Sequence, residues 1–138
     1  MNILVPIGIE TDLTVYHEVP QLLKLKKNMI FTLYHVVEIP FITTLEAVDE
    51  LIKTKRYVDG KRKVEEAKKI FESLGLTAKE KVEFGRDTVE MIINEAISGG
   101  YDLIILVKRR KQPRFLGKSV SRAVVARVKL PILILSME

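Results

Sequence analysis

Two periods alternate along this chain. Short apolar runs of the kind that form buried strands are separated by stretches whose apolar residues recur every third or fourth position, as on one helix face. The last third carries the pattern most clearly. Asp102 opens an unbroken apolar run that ends at Val107, expected for a strand buried on both faces. A basic loop, residues 108–116, runs on to Gly117-Lys118-Ser119, and from there Val120, Val124 and Val128 recur every fourth residue as a single helical stripe. Pro131 should stop that helix, and Ile132-Leu133-Ile134-Leu135 reads as a closing strand. Two apolar strands joined through a helix make a right-handed parallel crossover. In such sheets ligands bind beyond the C-terminal ends of the strands, which is where the basic loop lies.

The same alternation holds upstream. Residues 2–8 read as a strand, after which Thr11 or Asp12 can cap a helix whose buried face is Leu13, Tyr16, Val19 and Leu23. Pro20 falls inside that helix and is expected to kink it. Asn28 leads into a second strand, Met29 to Val37. Pro40 and Phe41 open a longer connection, and Thr43 or Thr44 can cap a helix marked by Leu45, Val48, Leu51 and Ile52. Asp59-Gly60 should break this helix before Val64, Ala67, Phe71 and Leu74 resume the pattern up to Gly75. The mixed charges of residues 53–69 suit a solvated, salt-laced face better than a binding patch. Lys81 to Phe84 alternates as a short, more exposed third strand. Asp87 or Thr88 caps a helix carrying Val89, Ile92, Ile93, Ala96 and Ile97, which ends at Gly99-Gly100. With no linker, repeat or compositional break, residues 1–138 read as one domain: an α/β fold with an open, mostly parallel five-stranded sheet and helices on both faces. The periodicity does not choose between a 3-2-1-4-5 strand order and a flavodoxin-like one.

Composition narrows the function more by exclusion than by assertion. Apolar residues at 47% and charged residues at 30% describe an ordinary globule. With no cysteine, disulfides, thiolate metal sites and cysteine catalysis are excluded. No apolar run approaches the ~18 residues of a membrane span, and the start reads as a strand rather than a signal peptide, so a cytoplasmic protein without membrane association is expected. The net charge of +5 is unevenly placed: residues 103–137 hold nine Lys or Arg and no acid. The remainder then has 23 − 9 = 14 bases against 18 acids. This asymmetry points to an anionic partner, whether a phosphate-bearing small molecule or an acidic protein. Nucleic acid fits less well, since only Phe115 offers an aromatic for stacking among the bases.

Candidate chemistry is sparse. His17 and His35 lie on different elements, and no Ser-His-Asp, metal-ligand or paired-carboxylate spacing stands out, so catalytic and metal residues are not assigned. His35, without a histidine or cysteine partner in view, reads as a structural histidine. Gly117-Lys118-Ser119 resembles the end of a Walker A loop, but Gln112 stands where that pattern needs its first glycine. The basic loop has two readings that stay open. Six Lys or Arg among residues 108–118 either keep a long loop solvated or supply side-chain donors to a bound anion.

Five fragments in order resemble the universal stress protein family, across essentially the whole chain. Ile3-Leu4-Val5-Pro6-Ile7 is similar to the family's opening I-L-V-P-V-D-G-S, and Tyr34-His35-Val36-Val37-Glu38 to its second strand, L-H-V-V-E. Tyr101-Asp102-Leu103-Ile104-Ile105 resembles Y-D-L-I-V, Gly117-Lys118-Ser119-Val120-Ser121 the helix start G-S-V-S, and Leu130-Pro131-Ile132-Leu133-Ile134 the ending C-P-V-L-V-V. The resemblance implies a Rossmann-like, adenine nucleotide alpha hydrolase-like sheet of order 3-2-1-4-5. It also implies a homodimer paired through the C-terminal edge strand, Ile132, Leu133, Ile134 and Leu135. The anion or nucleotide site it implies holds Gly8 and Val37 at two strand ends, and Gly117, Lys118, Ser119 and Val120 at a helix start. Arg109, Arg110 and Arg114 would add charge. ATP-binding members carry G-x-x-G-x9-G-[S/T] after the fourth strand. Here Val107 and Arg110 occupy the first two glycine positions, six residues rather than nine separate Arg110 from Gly117, and Gly8 stands for the family's Asp. The resemblance therefore implies a non-enzymatic sensor or adaptor without the usual ATP motif. The alternative is a member that takes ATP, AMP or another phosphate-bearing ligand in an altered basic pocket, with slow ATP hydrolysis ranked last.

Overall fold

The structure, a computed structural model, describes residues 1–23, 28–39, 54–109 and 120–137, with only the main chain of Arg109. Five strands form one sheet: β1 (Asn2–Pro6), β2 (Ile30–Glu38), β3 (Thr77–Gly85), β4 (Leu103–Arg109) and β5 (Ile132–Met137). Their order is β3-β2-β1-β4-β5, and every neighbouring pair is parallel. The α-helices among the described residues are α1 (Val19–Leu23), α2 (Lys55–Ser73), α3 (Thr88–Ser98) and α4 (Val120–Arg127), and a 3-10 helix (Leu13–Glu18) precedes α1.

Strand alternation divides the core into two layers. On one face Ile3, Val5, Phe31, Leu33 and Ile105 pack against the 3-10 helix and α2 through Tyr16, Val64, Ala67 and Phe71. On the other, Leu4, Tyr34, Val36, Ile104 and Leu106 meet Ile92, Ile93 and Ala96 of α3, with Val124 of α4 and the adjoining Val128. The central strands β1 and β4 are thus apolar at consecutive positions because both their faces are covered.

Several expectations are corrected in detail. Pro20 kinks nothing: Leu13–Glu18 winds as a 3-10 helix and the α-helix begins only at Val19. Pro20 therefore stands in the first turn, where its missing N–H has no intrahelical partner to lose. Asp12, of the two candidates, is the cap, its carboxylate accepting from Thr14 N at 3.0 Å. Asp59-Gly60 does not break α2, which is continuous from Lys55 to Ser73 under a Thr54 cap. A glycine inside a helix costs about 1 kcal/mol against alanine, so a local reason is needed. Gly60 is buried against the His35 ring, and a Cβ there would lie 2.4 Å from Cδ2 and Nε2. The third strand is longer than 81–84, pairing with β2 from Thr77 to Gly85. As an edge strand it is half-exposed and tolerates Lys79 and Glu80, which hid its first half from the apolar pattern. The first strand ends at Pro6 rather than residue 8, and β5 continues to Met137. The helix expected from Thr43 or Thr44 falls outside the described residues up to position 53.

Asp87 caps α3 by accepting from Glu90 N at 3.2 Å, and Gly99-Gly100 ends it. Gly100 has φ 72°, a left-handed conformation that costs a glycine little, and it returns the chain into β4.

Candidate functional site

With the order β3-β2-β1-β4-β5, connections leave β1 and β4 in opposite directions, so a crevice opens beyond their C-terminal ends. A cavity of about 640 Å3 lies there. Its walls come from the turn after β1, the ends of β2 and β4, and the first turns of α2, α3 and α4. Its size is that of a small-molecule site.

Among the residues anticipated from sequence, Gly8, Val37 and Val120 all line this cavity, as does Val107 at the end of β4. Arg109 closes β4 and is described by its main chain only. Arg110, Arg114, Gly117, Lys118 and Ser119 lie outside the described residues. The cavity also takes residues that the sequence reading did not place there: Glu38, Arg56, Thr88, Ser121 and Met137. Their signal was weak because each stands just where an element begins or ends, and such boundaries converge only once the sheet order is known.

Hydrogen bonds at Ile7, Gly8 and Thr11 hold the turn after β1. Ile7 N donates to the Tyr34 carbonyl at 2.7 Å, Gly8 N to Thr11 Oγ1 at 2.9 Å, and Thr11 N to the Gly8 carbonyl at 3.1 Å. The Ile7 carbonyl accepts from His35 Nδ1 at 2.7 Å. His35 therefore has a structural partner, as expected, but the partner belongs to the crevice wall. On the far side, Asp12 N donates to Met137 Sδ at 3.4 Å, which ties the end of β5 to the same turn.

The β2 end of the cavity is polar. The Thr88 hydroxyl donates to Glu38 Oε1 at 2.7 Å, and Arg56 Nη1 reaches the Glu38 carbonyl at 3.4 Å. Between the polar margins the walls are apolar, made by Ile7, Val36, Val37, Ile92 and Leu106. Tyr34 also contributes; burial first, then a hydrogen bond to Glu83, raise its phenol well above the ordinary tyrosine value, so it stays protonated at neutral pH. Such a site suits a flat, partly apolar molecule with polar edges. Among the described residues, no group of three or more His, Asp or Glu is arranged to hold a metal ion.

The deciding observation is that the universal stress protein family model matches residues 1–136. The chain belongs to the universal stress protein family. Among solved structures it is similar to the hypothetical protein MJ0577, with a TM-score of 0.76, 26% identity, and 99% of this chain and 96% of that one covered. A universal stress protein family protein from Arabidopsis thaliana with AMP bound gives a TM-score of 0.69 at 14% identity, covering 100% and 92% of the two chains. The universal stress protein from Archaeoglobus fulgidus in complex with dAMP gives 0.60 at 19% identity, covering 98% and 97%. At these identities the last two establish likeness of fold. No curated protein sequence matches significantly. The sheet order implied by the resemblance is the order observed, and the Rossmann-like layering of this universal stress protein follows from it. No helix among the described residues is long and apolar enough to cross a membrane.

Proposed function

We propose that this universal stress protein is a non-enzymatic sensor whose crevice takes a nucleotide or another phosphate-bearing small molecule, and which acts as a homodimer in the cytoplasm. The observation that carries this reading is the cavity at the topological switch, with Gly8, Val37 and Val120 on its walls. Structural neighbours hold AMP and dAMP, both nucleoside monophosphates. The base would lie between the apolar walls near Val37, with its phosphate toward the start of α4. The dipole of that helix favours an anion at its start.

A monophosphate suits this chain better than ATP. The backbone cradle of the ATP pattern needs glycine where Val107 and Arg110 stand, and the following segment is three residues shorter. Charge in residues 108–118, including Arg109, Arg114 and Lys118, would replace part of that cradle. The same departures favour a second reading, an adaptor that holds no nucleotide and binds an acidic protein partner through its basic segment.

Calorimetric titration with AMP and with Mg-ATP separates these readings. The sensor reading expects saturable one-to-one binding of AMP and weaker binding of ATP. Tight ATP binding would overturn the reading of the altered motif, and no binding of either would favour the adaptor. Mass spectrometry of the purified protein under native conditions would show directly whether a small molecule is retained.

A further inference from the structure

We infer that His35 is a positioning residue for the crevice: its ring, fixed by Gly60, holds the turn at which β1 leaves the sheet. Pairing of β1 with β2 runs to Pro6 opposite Tyr34, and Ile7 N still donates to the Tyr34 carbonyl. In a continued parallel ladder the Ile7 carbonyl would accept from a main-chain amide of β2. Here it accepts from a side chain instead, His35 Nδ1 at 2.7 Å. The next residue, Gly8, is exposed and turns back on itself through Thr11. A side-chain donor thus satisfies the first carbonyl beyond β1 while the main chains diverge. That divergence shapes the β1–β2 side of the cavity that lies beyond the strand ends.

The imidazole is set from its other edge as well. A carbonyl oxygen can only accept, so the proton sits on Nδ1. The opposite edge, Cδ2 and Nε2, lies so close to α2 that a Cβ on Gly60 would meet both atoms at 2.4 Å. His35 is buried, with 6% of the residue exposed, which leaves the ring little freedom to turn. Gly60 is therefore the space that lets the ring reach Ile7. The helix keeps a glycine in its interior for the sake of a turn on the other side of the imidazole.

The ligand half of the test rests on the nucleotide reading; the turn itself does not. Four variants would be compared: His35→Leu, His35→Asn, Gly60→Ala, and His35→Asn with Gly60→Ala. Asparagine keeps an N–H donor near the Nδ1 position and is short enough to leave room for a Cβ at residue 60. Three quantities would be measured on each: hydrogen exchange of the Gly8 amide by NMR, AMP affinity, and thermal stability. In the wild type, a long-range nitrogen–proton spectrum should show His35 protonated at Nδ1. His35→Leu and Gly60→Ala should speed Gly8 exchange and weaken AMP binding about tenfold, the equivalent of one lost hydrogen bond. His35→Asn should stay near wild type in both, and the double variant should recover most of what Gly60→Ala loses. If His35→Leu only lowers thermal stability and leaves Gly8 exchange and AMP affinity unchanged, His35 is a packing residue and the inference fails. It fails equally if the double variant is no better than Gly60→Ala. Absence of AMP binding in the wild type would remove the nucleotide reading alone, because the exchange rates still decide whether His35 holds the turn.

Discussion

The Tyr101 hydroxyl donates to Glu95 Oε2 at 2.6 Å, so the residue that opens the approach to β4 is fastened to the last turn of α3. Lys81 of β3 completes the arrangement, its Nζ lying 2.9 and 3.0 Å from the two oxygens of the same carboxylate. One carboxylate thus joins an edge strand, a helix and the entry to a central strand. Burial by itself would raise the Glu95 pKa, but the Tyr101 hydroxyl and the Lys81 ammonium outweigh it and hold the carboxyl below the usual glutamate range. Burial, and then the bond to Glu95, push the Tyr101 phenol up to about 12.

The first prediction follows from that sign. A carboxyl whose folded pKa is depressed adds stability that is present above its unfolded pKa and lost as pH falls through the folded one. Glu95→Gln should cost about 1.5–3 kcal/mol at pH 7, the range for hydrogen bonds to a charged group. Lys81 is partly solvated and adds little to this. The difference between wild type and variant should shrink below about pH 4.3, where an unperturbed glutamate is half protonated. Urea denaturation at pH 7 and pH 3 measures it, and a gap that stays constant or widens in acid would contradict the assignment.

The second prediction concerns the layer under α2. Phe71 is fully buried, its ring centroid 5.1 Å from both Tyr16 and Phe31. It joins the 3-10 helix, α2 and β2 at one point, so the site cannot collapse without moving all three. Phe71→Ala should cost about 3–5 kcal/mol through lost transfer energy and the cavity left behind. Equilibrium denaturation gives the value, and a cost under about 1 kcal/mol would mean the layer repacks freely.

Much of this architecture is legible in local pattern, because β1, β4 and β5 are apolar runs and α3 has caps at both ends. Two of the failures share one cause: they depend on contacts between distant residues. Gly60 reads as a helix break until the His35 ring is placed against it. Lys79 and Glu80 read as loop until β3 is placed at the sheet edge, where one side meets water. The crevice divides the same way. Gly8, Val37 and Val120 were reachable through the resemblance of whole strand ends and a helix start. Thr88 and Glu38, 50 positions apart, meet only in the folded crevice, and nothing local pairs the one with the other.

The third prediction comes from charge placement. Residues 103–137 hold nine bases and no acid, so binding of a phosphate-bearing ligand at the α4 end of the crevice should be salt-dependent. Exposed charges are screened over about 8–10 Å at ordinary ionic strength. Thermal shifts with phosphate, polyphosphate and AMP should therefore be larger at low salt than at high salt. Arg110→Glu combined with Lys118→Glu should abolish the salt-sensitive part. If the double variant is stabilised as much as wild type, the basic segment is only a solvated surface.

The last prediction is the dimer. Strand β5 stands at the edge of the sheet, bonded to β4 on one side only. An edge strand presents a row of main-chain donors and acceptors that invites a second chain. Proteins that remain monomeric usually blunt such an edge with charge, and Ile132, Leu133, Ile134 and Leu135 carry none. Leu133 and Leu135 turn toward the α2 face of the sheet, whereas Ile134 is 42% exposed on the opposite face. Pro131 precedes the strand and removes a donor only at its start. Two copies are therefore expected to pair β5 antiparallel, extending each sheet into the other and covering both Ile134 side chains. Light scattering at micromolar concentration should report twice the chain mass. Ile134→Lys puts two like charges close together across the dyad and should shift the protein to monomer without lowering the stability of the isolated fold. A wild type that is monomeric at that concentration, or a dimer indifferent to the lysine, would place the interface elsewhere or remove it.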